Sequence, residues 1–342
     1  MGETNGTNGT DGTNGTNGMN GLEETEPGIG AEERRGLSAV GAALLATWPL
    51  QLLTASLCLT AAAGRLPGSP GALLALLRRS PGYSPAQALA QLLASLVGLG
   101  VPALLCARAG RLRPGAVFAR PKTKAGDAAL LGMLGIGFGL FASLAVHVAD
   151  LLLRSGAHLT LSSPNFQIPW EHPATAAVLL AAVLVAAPLT EEFFFRGVLL
   201  RAFRPCGRAF AVVASALCWA LAHGDFPQAV PVFVIGLFFG LLALRAESIW
   251  PTLALHFLNN LLSVLESAAM ASLLGKMASS LINLGLIFLA VILLAVFAKR
   301  LLPAPGTPHG PKGAWFALVT RVPAALFLLL CAFRLVLSVR PA

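Results

Sequence analysis

Long apolar runs follow one another along this chain from residue 37 almost to its end. Hydrophobic residues make up 56% of the 342 residues and charged residues only 11%, less than half of the roughly 25% that is usual in soluble domains. A helix needs about 20 apolar residues to cross a bilayer. The runs that predict membrane spans are Leu37–Ala63, Ala86–Ala107, Ala128–Leu153, Thr175–Leu200, Ala209–His223, Ala229–Leu244, Ile249–Leu265, Met277–Ala298 and Ala314–Leu337.

These runs predict an all-α, polytopic membrane protein with eight or nine transmembrane helices. Inside lipid every backbone polar group must be hydrogen-bonded within the protein, so the spans are expected to be helices. Residues 1–35, which open with an Asn-Gly-Thr repeat, have little to bury and are predicted to form a disordered tail. Residues 36–342 are predicted to form the transmembrane domain. No signal peptide is recognised, so the first span is expected to be retained.

The basic residues predict how the chain is oriented. Alternate loops hold six, three, one and three Lys or Arg residues, whereas the loops between them hold three, one, none and one. Because Lys and Arg stay on the cytoplasmic side, the richer loops and the N-terminal tail are predicted to be cytosolic. The net charge of +9 is then explained by the basic residues that orient the chain in the membrane, and no nucleic-acid partner is expected. The richer loops are 108–127, 201–208, 245–248 and 299–313.

Charged residues interrupt the fourth apolar run in the stretch EEFFFR. A charge near the bilayer centre costs ~2.5–3.5 kcal/mol even on lenient scales, so such residues are candidates for function. Glu192 and Arg196 are four residues apart, share a helix face and can neutralise each other. Glu191 is rotated from Glu192 by about 100° on the same helix and does not fully share that pair.

Two further spans carry polar residues at a similar depth. His223 ends the fifth run, and the seventh contains His256, Asn259 and Asn260, of which His256 and Asn260 share a face. Counted from the cytosolic ends, Glu191, His256 and Asn260 lie about 12–18 Å deep, and His223 lies somewhat deeper. A lone intramembrane His or Asn often only joins helices, but groups on three helices at one depth predict a single hydrated site.

The chemistry of this set suits hydrolysis by water. A carboxylate and an imidazole can act on a water molecule as general base, and a second imidazole and an amide can donate to a developing oxyanion. The chain has no G-x-S-x-G or H-E-x-x-H motif. Zinc bound by two His and a Glu stays possible, but the Glu–Arg pair favours a site without metal or cofactor.

Three motifs in order resemble one known family. EEFFFR matches an EExxxR motif, Trp219-x-x-x-His223 is similar to FxxxH with Trp in place of Phe, and His256-x-x-x-Asn260 is similar to HxxxN. Together they cover about residues 175–265. On membrane helices this order resembles the CPBP family (CAAX-protease and bacteriocin-processing, or Abi) of intramembrane glutamic endopeptidases.

The resemblance implies about eight helices around a conical cavity open to the cytosol. It also implies that the site hydrolyses a peptide bond without a metal. The roles implied are water activation by Glu191 and His223, an oxyanion hole of His256 and Asn260, and support of the site by Glu192 and Arg196.

The sequence favours an endopeptidase that cleaves a peptide or a membrane-associated protein near the membrane surface. Its Ala, Leu, Gly, Arg and Pro content is typical of a GC-rich bacterial gene, which favours the bacterial cytoplasmic membrane and a bacteriocin-like precursor or membrane protein as substrate. A non-catalytic scaffold or immunity protein is the alternative, and a transporter is disfavoured because paired broken helices are not recognised. His147 and Asp150 are predicted to be interfacial, and Arg321 and Arg334 receive no role.

Overall fold

Helices make up 85% of the structure, a computed structural model that describes residues 30–63, 85–163, 168–301 and 313–342. This confirms the predicted all-α class. Two three-residue strands, β1 (Leu159–Leu161) and β2 (Val339–Pro341), pair antiparallel. The helices are α1 (Ala31–Ala63), α2 (Pro85–Ala109), α3 (Pro114–Val117), α4 (Ala125–Ala157), α5 (Pro173–Cys206), α6 (Arg208–His223), α7 (Phe226–Ala246), α8 (Trp250–Ala269), α9 (Leu273–Leu301), α10 (Ala314–Val319) and α11 (Val322–Leu337).

Within the described residues, six helices are long and apolar enough to cross a membrane, namely α1, α2, α4, α5, α7 and α9. Two shorter apolar helices, α6 and α11, accompany them. Helix α8 has 20 residues, but His256, Asn259 and Asn260 lower its mean hydropathy. The chain is therefore an integral membrane protein with several spans, whereas the total of eight or nine stays a prediction.

Two boundaries differ from those predicted. Helix α1 begins at Ala31, so the last residues of the tail predicted over 1–35 are helical, and residues 1–29 lie outside the described part of the chain. The ninth apolar run does not form one helix but breaks at Thr320 into α10 and α11. Pro323 explains the break, because it lacks an N–H and is suited to the first turn of a new helix.

The largest cluster of buried apolar side chains is built around α5. Phe194, Phe195 and Phe203 of this helix are almost fully buried among residues of α1, α2, α6, α7, α10 and α11. Because lipid is as apolar as a protein core, helices in a membrane associate by close packing of small residues. At the contact of α4 with α7, a Cβ on Gly139 would collide with Ile235. Because the buried phenylalanines of α5 have neighbours from six other helices, α5 lies at the centre of the bundle.

The loop predicted to be cytosolic over residues 108–127 packs onto the starts and ends of neighbouring helices. The ring of Phe118 stacks on Phe193 of α5, with centroids 5.8 Å apart. The indole N–H of Trp250, at the start of α8, donates to the Phe118 carbonyl at 3.0 Å, and Arg201 donates to another carbonyl of the loop. The loop thereby joins α5 to α8, the two helices that carry most of the predicted site residues.

Asp150 joins the other end of α4 to the small sheet. One of its carboxylate oxygens accepts hydrogen bonds from the N–H of Leu161 at 2.7 Å and from the hydroxyl of Thr160 at 2.9 Å. The other accepts from Arg154 at 2.8 Å. The side chain of His147, which was predicted to be interfacial together with Asp150, is exposed. Asp150 thus has a structural role that its position in the sequence did not predict.

We expect Asp150→Ala to lower the free energy of unfolding by about 1–3 kcal/mol, because the N–H of Leu161 and the hydroxyl of Thr160 lose their acceptor. The melting temperature of the purified protein in detergent measures this. Asp127→Ala is the control, since it removes only a partly exposed ion pair with Arg300, and such pairs contribute about 0–1 kcal/mol. Equal losses in the two variants would contradict the structural role of Asp150.

Candidate active site

The first motif lies on an unusual stretch of α5. A π-helical turn runs over Ala182–Ala186, an α-helical turn follows, and a second π-helix covers Glu192–Leu199. Pro188 between them lacks an N–H, and the hydroxyl of Thr190 donates to the Ala186 carbonyl at 2.8 Å, a bond that bends helices. Short π-helical segments occur frequently at functional sites. The irregular backbone of α5 thus coincides with its charged residues.

Glu192 and Arg196 form an ion pair that is closed to solvent. Arg196 Nη1 donates to Glu192 Oε1 at 3.0 Å, and both side chains are 0% exposed. The guanidinium also lies over two aromatic rings, with Cζ 3.9 Å from the centroid of Trp219 and 5.6 Å from that of Phe239. These are cation–π distances, and such contacts strengthen when they are desolvated. The pairing predicted from the spacing of the two residues is confirmed.

His256 of α8 lies between the two glutamates of α5. Its Nδ1 is 2.9 Å from Glu192 Oε1, and its Nε2 is 3.9 Å from Glu191 Oε2. An ionised carboxylate only accepts hydrogen bonds, so Nδ1 must carry a proton and donate to Glu192. The distance from Nε2 to Glu191 exceeds a hydrogen bond and is of the kind that water can bridge.

Glu191 has surroundings different from those of Glu192. Its side chain is 18% exposed, and its Oε2 accepts a hydrogen bond from Trp219 Nε1 at 2.6 Å. In the sequence Trp219 stands out only as the Trp in place of the Phe of the second motif. The sequence therefore missed the polar contact of Trp219, and the sole signal for it was the replacement of Phe by Trp in that motif.

His223 ends α6 close to the same indole. Its ring lies edge-on to Trp219, with centroids 5.8 Å apart, and its Nδ1 lies 2.9 Å from the Trp219 carbonyl. Since a carbonyl oxygen accepts, Nδ1 donates and Nε2 is left for another partner. Within the described residues His223 and Glu191 make no direct hydrogen bond, so their joint action on a water molecule stays a prediction.

Asn260 ties α8 to the first π-helical turn of α5. The side-chain amide of Asn260 donates to the Val183 carbonyl at 2.9 Å. The amide nitrogen of Asn259 lies 3.5 Å from the side-chain oxygen of Asn260, which is the outer limit of a hydrogen bond. An amide has two N–H donors, of which one is used here. Asn260 therefore joins two helices, and its second N–H has no partner among the described residues, while the oxyanion role implied by the motif stays a prediction.

Arg334, for which no role was predicted from the sequence, contacts the helix that carries His223. Its Nη2 donates to the His223 carbonyl at 3.3 Å, and its guanidinium lies 4.2 Å from the ring centroid of Trp48. The next residue, Gly224, has φ +80°, and a Cβ there would collide with the guanidinium. A cation at this place complements the negative end of the helix dipole. Arg334 thereby fixes the end of α6.

Among the residues that the structure describes, no three His, Cys, Asp or Glu side chains are grouped so that they could hold a metal ion. The five cysteines are free.

The fold and the site define a helical membrane protein with ionisable and amide side chains from three helices in mutual reach. The family model described as "Type II CAAX prenyl endopeptidase Rce1-like" matches residues 173–262, which extend from the start of α5 into α8. Over this quarter of the chain the protein is similar to that family, which agrees with the predicted resemblance to the CPBP family. No curated protein and no solved structure is significantly similar to the chain.

A double-mutant cycle tests the buried ion pair. We expect Arg196→Ala to destabilise the protein by about 3–5 kcal/mol, since it leaves the Glu192 carboxylate buried without its cation. The double variant Glu192→Gln with Arg196→Ala restores neutrality and is expected to recover part of that loss. Melting temperatures in detergent of the two single variants and the double variant give the coupling. Simple additivity of the two changes would contradict the pairing.

Proposed function

We propose that the chain is an intramembrane endopeptidase that hydrolyses a peptide bond with a water molecule activated by Glu191 and His223. The family whose model it matches is a family of proteases, which supports a peptide hydrolase. The observation that carries the proposal is the difference between two adjacent carboxylates. Glu192 is neutralised by Arg196 and closed to solvent, whereas Glu191 is partly exposed and its Oε1 accepts no hydrogen bond from the described residues.

In the proposed reaction a water molecule binds to Glu191 Oε1 and to Nε2 of His223. The carboxylate takes a proton as the water oxygen attacks the carbonyl carbon of the peptide, and this proton then passes to the leaving amine. The negative charge that develops on the carbonyl oxygen is stabilised by donors from α8. Asn260 retains one N–H for this task.

His256 contributes to the oxyanion hole only in a defined protonation state. Its Nδ1 already donates to Glu192, so Nε2 donates to an oxyanion only when the imidazole carries both protons. The positive charge then lies between Glu191 and Glu192. The proposed role of Glu192 is accordingly to orient His256 and to balance its positive charge. Arg196 keeps Glu192 in place through their ion pair.

The proposed substrate is a peptide or a membrane-associated protein, reached from a hydrated cavity that opens to the cytosol. The N-terminus is proposed to lie in the cytosol and the protein in a bacterial cytoplasmic membrane, in contact with its lipids and with no nucleic acid. Eight or nine spans, with α6, α8 and α11 added to the six longest helices, fit this arrangement.

The alternative is a non-catalytic scaffold or immunity protein that binds a peptide in the same cavity. The hydrogen bond from Asn260 to the Val183 carbonyl favours it, because an interhelical contact is sufficient to explain an intramembrane asparagine. Peptide binding by the wild type without any cleavage would support this alternative.

We expect Glu191→Gln to lower the rate of peptide cleavage at least about 100-fold, since a positioned general base contributes that much. The assay is cleavage of a peptide library by the purified protein in detergent. Glu247→Gln is the matched control and is expected to keep the wild-type rate. Glu247 lies outside the site, where its hydrogen bond to the Lys122 ammonium holds the pKa of the carboxyl below its usual range. Retention of more than about a tenth of the rate in Glu191→Gln would rule out Glu191 as the base.

Metal removal provides a separate test. Because Glu192 is engaged by Arg196 and His256, we expect dialysis against a strong chelator to leave the cleavage rate unchanged. Loss of activity that zinc restores would instead indicate water activated by a bound metal.

A further inference from the structure

Trp219 touches more of the motif side chains than any other aromatic residue that the structure describes. Its indole N–H donates to Glu191, and the guanidinium of Arg196 lies over its ring. The imidazole of His256 lies edge-on at 5.2 Å between centroids, and that of His223 at 5.8 Å. With 3% of its surface exposed, the indole is thus at the centre of the proposed site.

We propose that Trp219 is a positioning residue that holds the carboxylate of Glu191 through its indole N–H. This inference rests on the proposed role of Glu191 as the base. The indole nitrogen is only a donor, and its distance of 2.6 Å to Glu191 Oε2 is as short as in charge-assisted hydrogen bonds. The bond ties up one carboxylate oxygen and leaves the other, Oε1, to bind water.

A glutamate needs such a restraint more than a shorter acid does. Its carboxylate turns about three side-chain bonds, and the side chain of Glu191 is partly exposed, so packing alone does not fix it. General-base catalysis depends on the base lying within hydrogen-bond reach of its proton in the reacting geometry. A single strong donor on a buried ring supplies that fixed geometry.

The surroundings of Trp219 are suited to the large ring of an indole. The ring lies nearly parallel to that of Phe239, with centroids 6.3 Å apart. Gly236 of α7 faces it, and a Cβ at this position would approach the six-membered part of the indole to 3.2 Å and Ala216 to 2.9 Å. Phe, the residue of the family motif at position 219, would keep a ring here but has no donor. The added function of Trp219 is therefore its N–H.

The first test is Trp219→Phe, measured as kcat and KM for a cleaved peptide. We expect kcat to fall at least about tenfold, with KM changed less than about twofold, because the lost bond orients the base and does not touch the substrate. Unchanged kcat would overturn the proposal, and so would a loss confined to KM.

Trp48→Phe is the matched control. The indole N–H of Trp48 also donates, to the Ala222 carbonyl at 3.3 Å, and Arg334 lies over its ring at 4.2 Å. This change removes an indole donor and a cation–π contact beside the end of α6 without touching Glu191, so the loss of kcat is expected to be clearly smaller than in Trp219→Phe. An equal loss of kcat in both variants would mean that packing is responsible and would overturn the proposal.

Two tryptophan analogues at position 219 separate the donor from the ring. In 3-benzothienylalanine sulfur replaces the N–H at almost unchanged shape, so we expect the loss of kcat seen with Phe. The analogue 7-azatryptophan keeps the N–H and is expected to keep kcat within about threefold of wild type, since the hydrogen bond is retained. Full activity with the sulfur analogue would overturn the role of the N–H.

A stability measurement distinguishes failure of this proposal from failure of the proposed function. The melting temperatures of Trp219→Phe, Glu191→Ala and the double variant form a cycle that needs no turnover. Coupling between the two changes supports the hydrogen bond, and additivity overturns it. If wild type cleaves no peptide while coupling is present, the proposed function fails and the positioning role with it, but the contact stands.

Discussion

The buried pair of Glu192 and Arg196 is the interaction on which the rest of the site depends. Within the described residues, Glu192 Oε2 and the Nε and Nη2 atoms of Arg196 are buried without a hydrogen-bond partner. Removing two charges from water costs several kcal/mol per ion, and a single charge-assisted hydrogen bond offsets only part of that. The aromatic faces of Trp219 and Phe239 lie where they stabilise the cation. The pair, the rings and His256 therefore form one unit, in which removal of either charged partner of the pair alone leaves the other charge in an apolar interior.

Adjacent residues of one helix obtain opposite surroundings through the neighbours that the bundle brings to them. Glu192 contacts a cation and an imidazole, and Glu191 contacts an indole donor on the more accessible side. Pairs of titratable groups whose environments differ in this way are typical of sites that divide acid–base tasks. The π-helical backbone from Glu192 onwards differs from the regular α-helix on which the 100° separation of the two side chains was based.

The spacing of residues along the sequence predicted most side chains of this site but few of the contacts that hold them in place. The separation of four residues between Glu192 and Arg196 is a helix property that sequence reveals directly, and the membrane class follows from apolar run length. Contacts between residues far apart in the sequence produce no such local pattern. The bond from Trp219 to Glu191 spans 28 positions, and that from Arg334 to the His223 carbonyl spans 111. The role of Asp150 depends on a short strand 10 and 11 positions away that the apolar pattern does not reveal. The break at Thr320 lies inside an apolar run whose length alone favours one helix.

The contact between Arg334 and α6 has a consequence for biosynthesis. During translation the helix that carries His223 leaves the ribosome 111 residues before the arginine that neutralises its C-terminal carbonyl. In that interval the end of α6 lacks this cation, and Gly224 in its left-handed conformation has no guanidinium packed against it. The end of α6 therefore reaches the arrangement described here only after α11 has been synthesised and has packed against it.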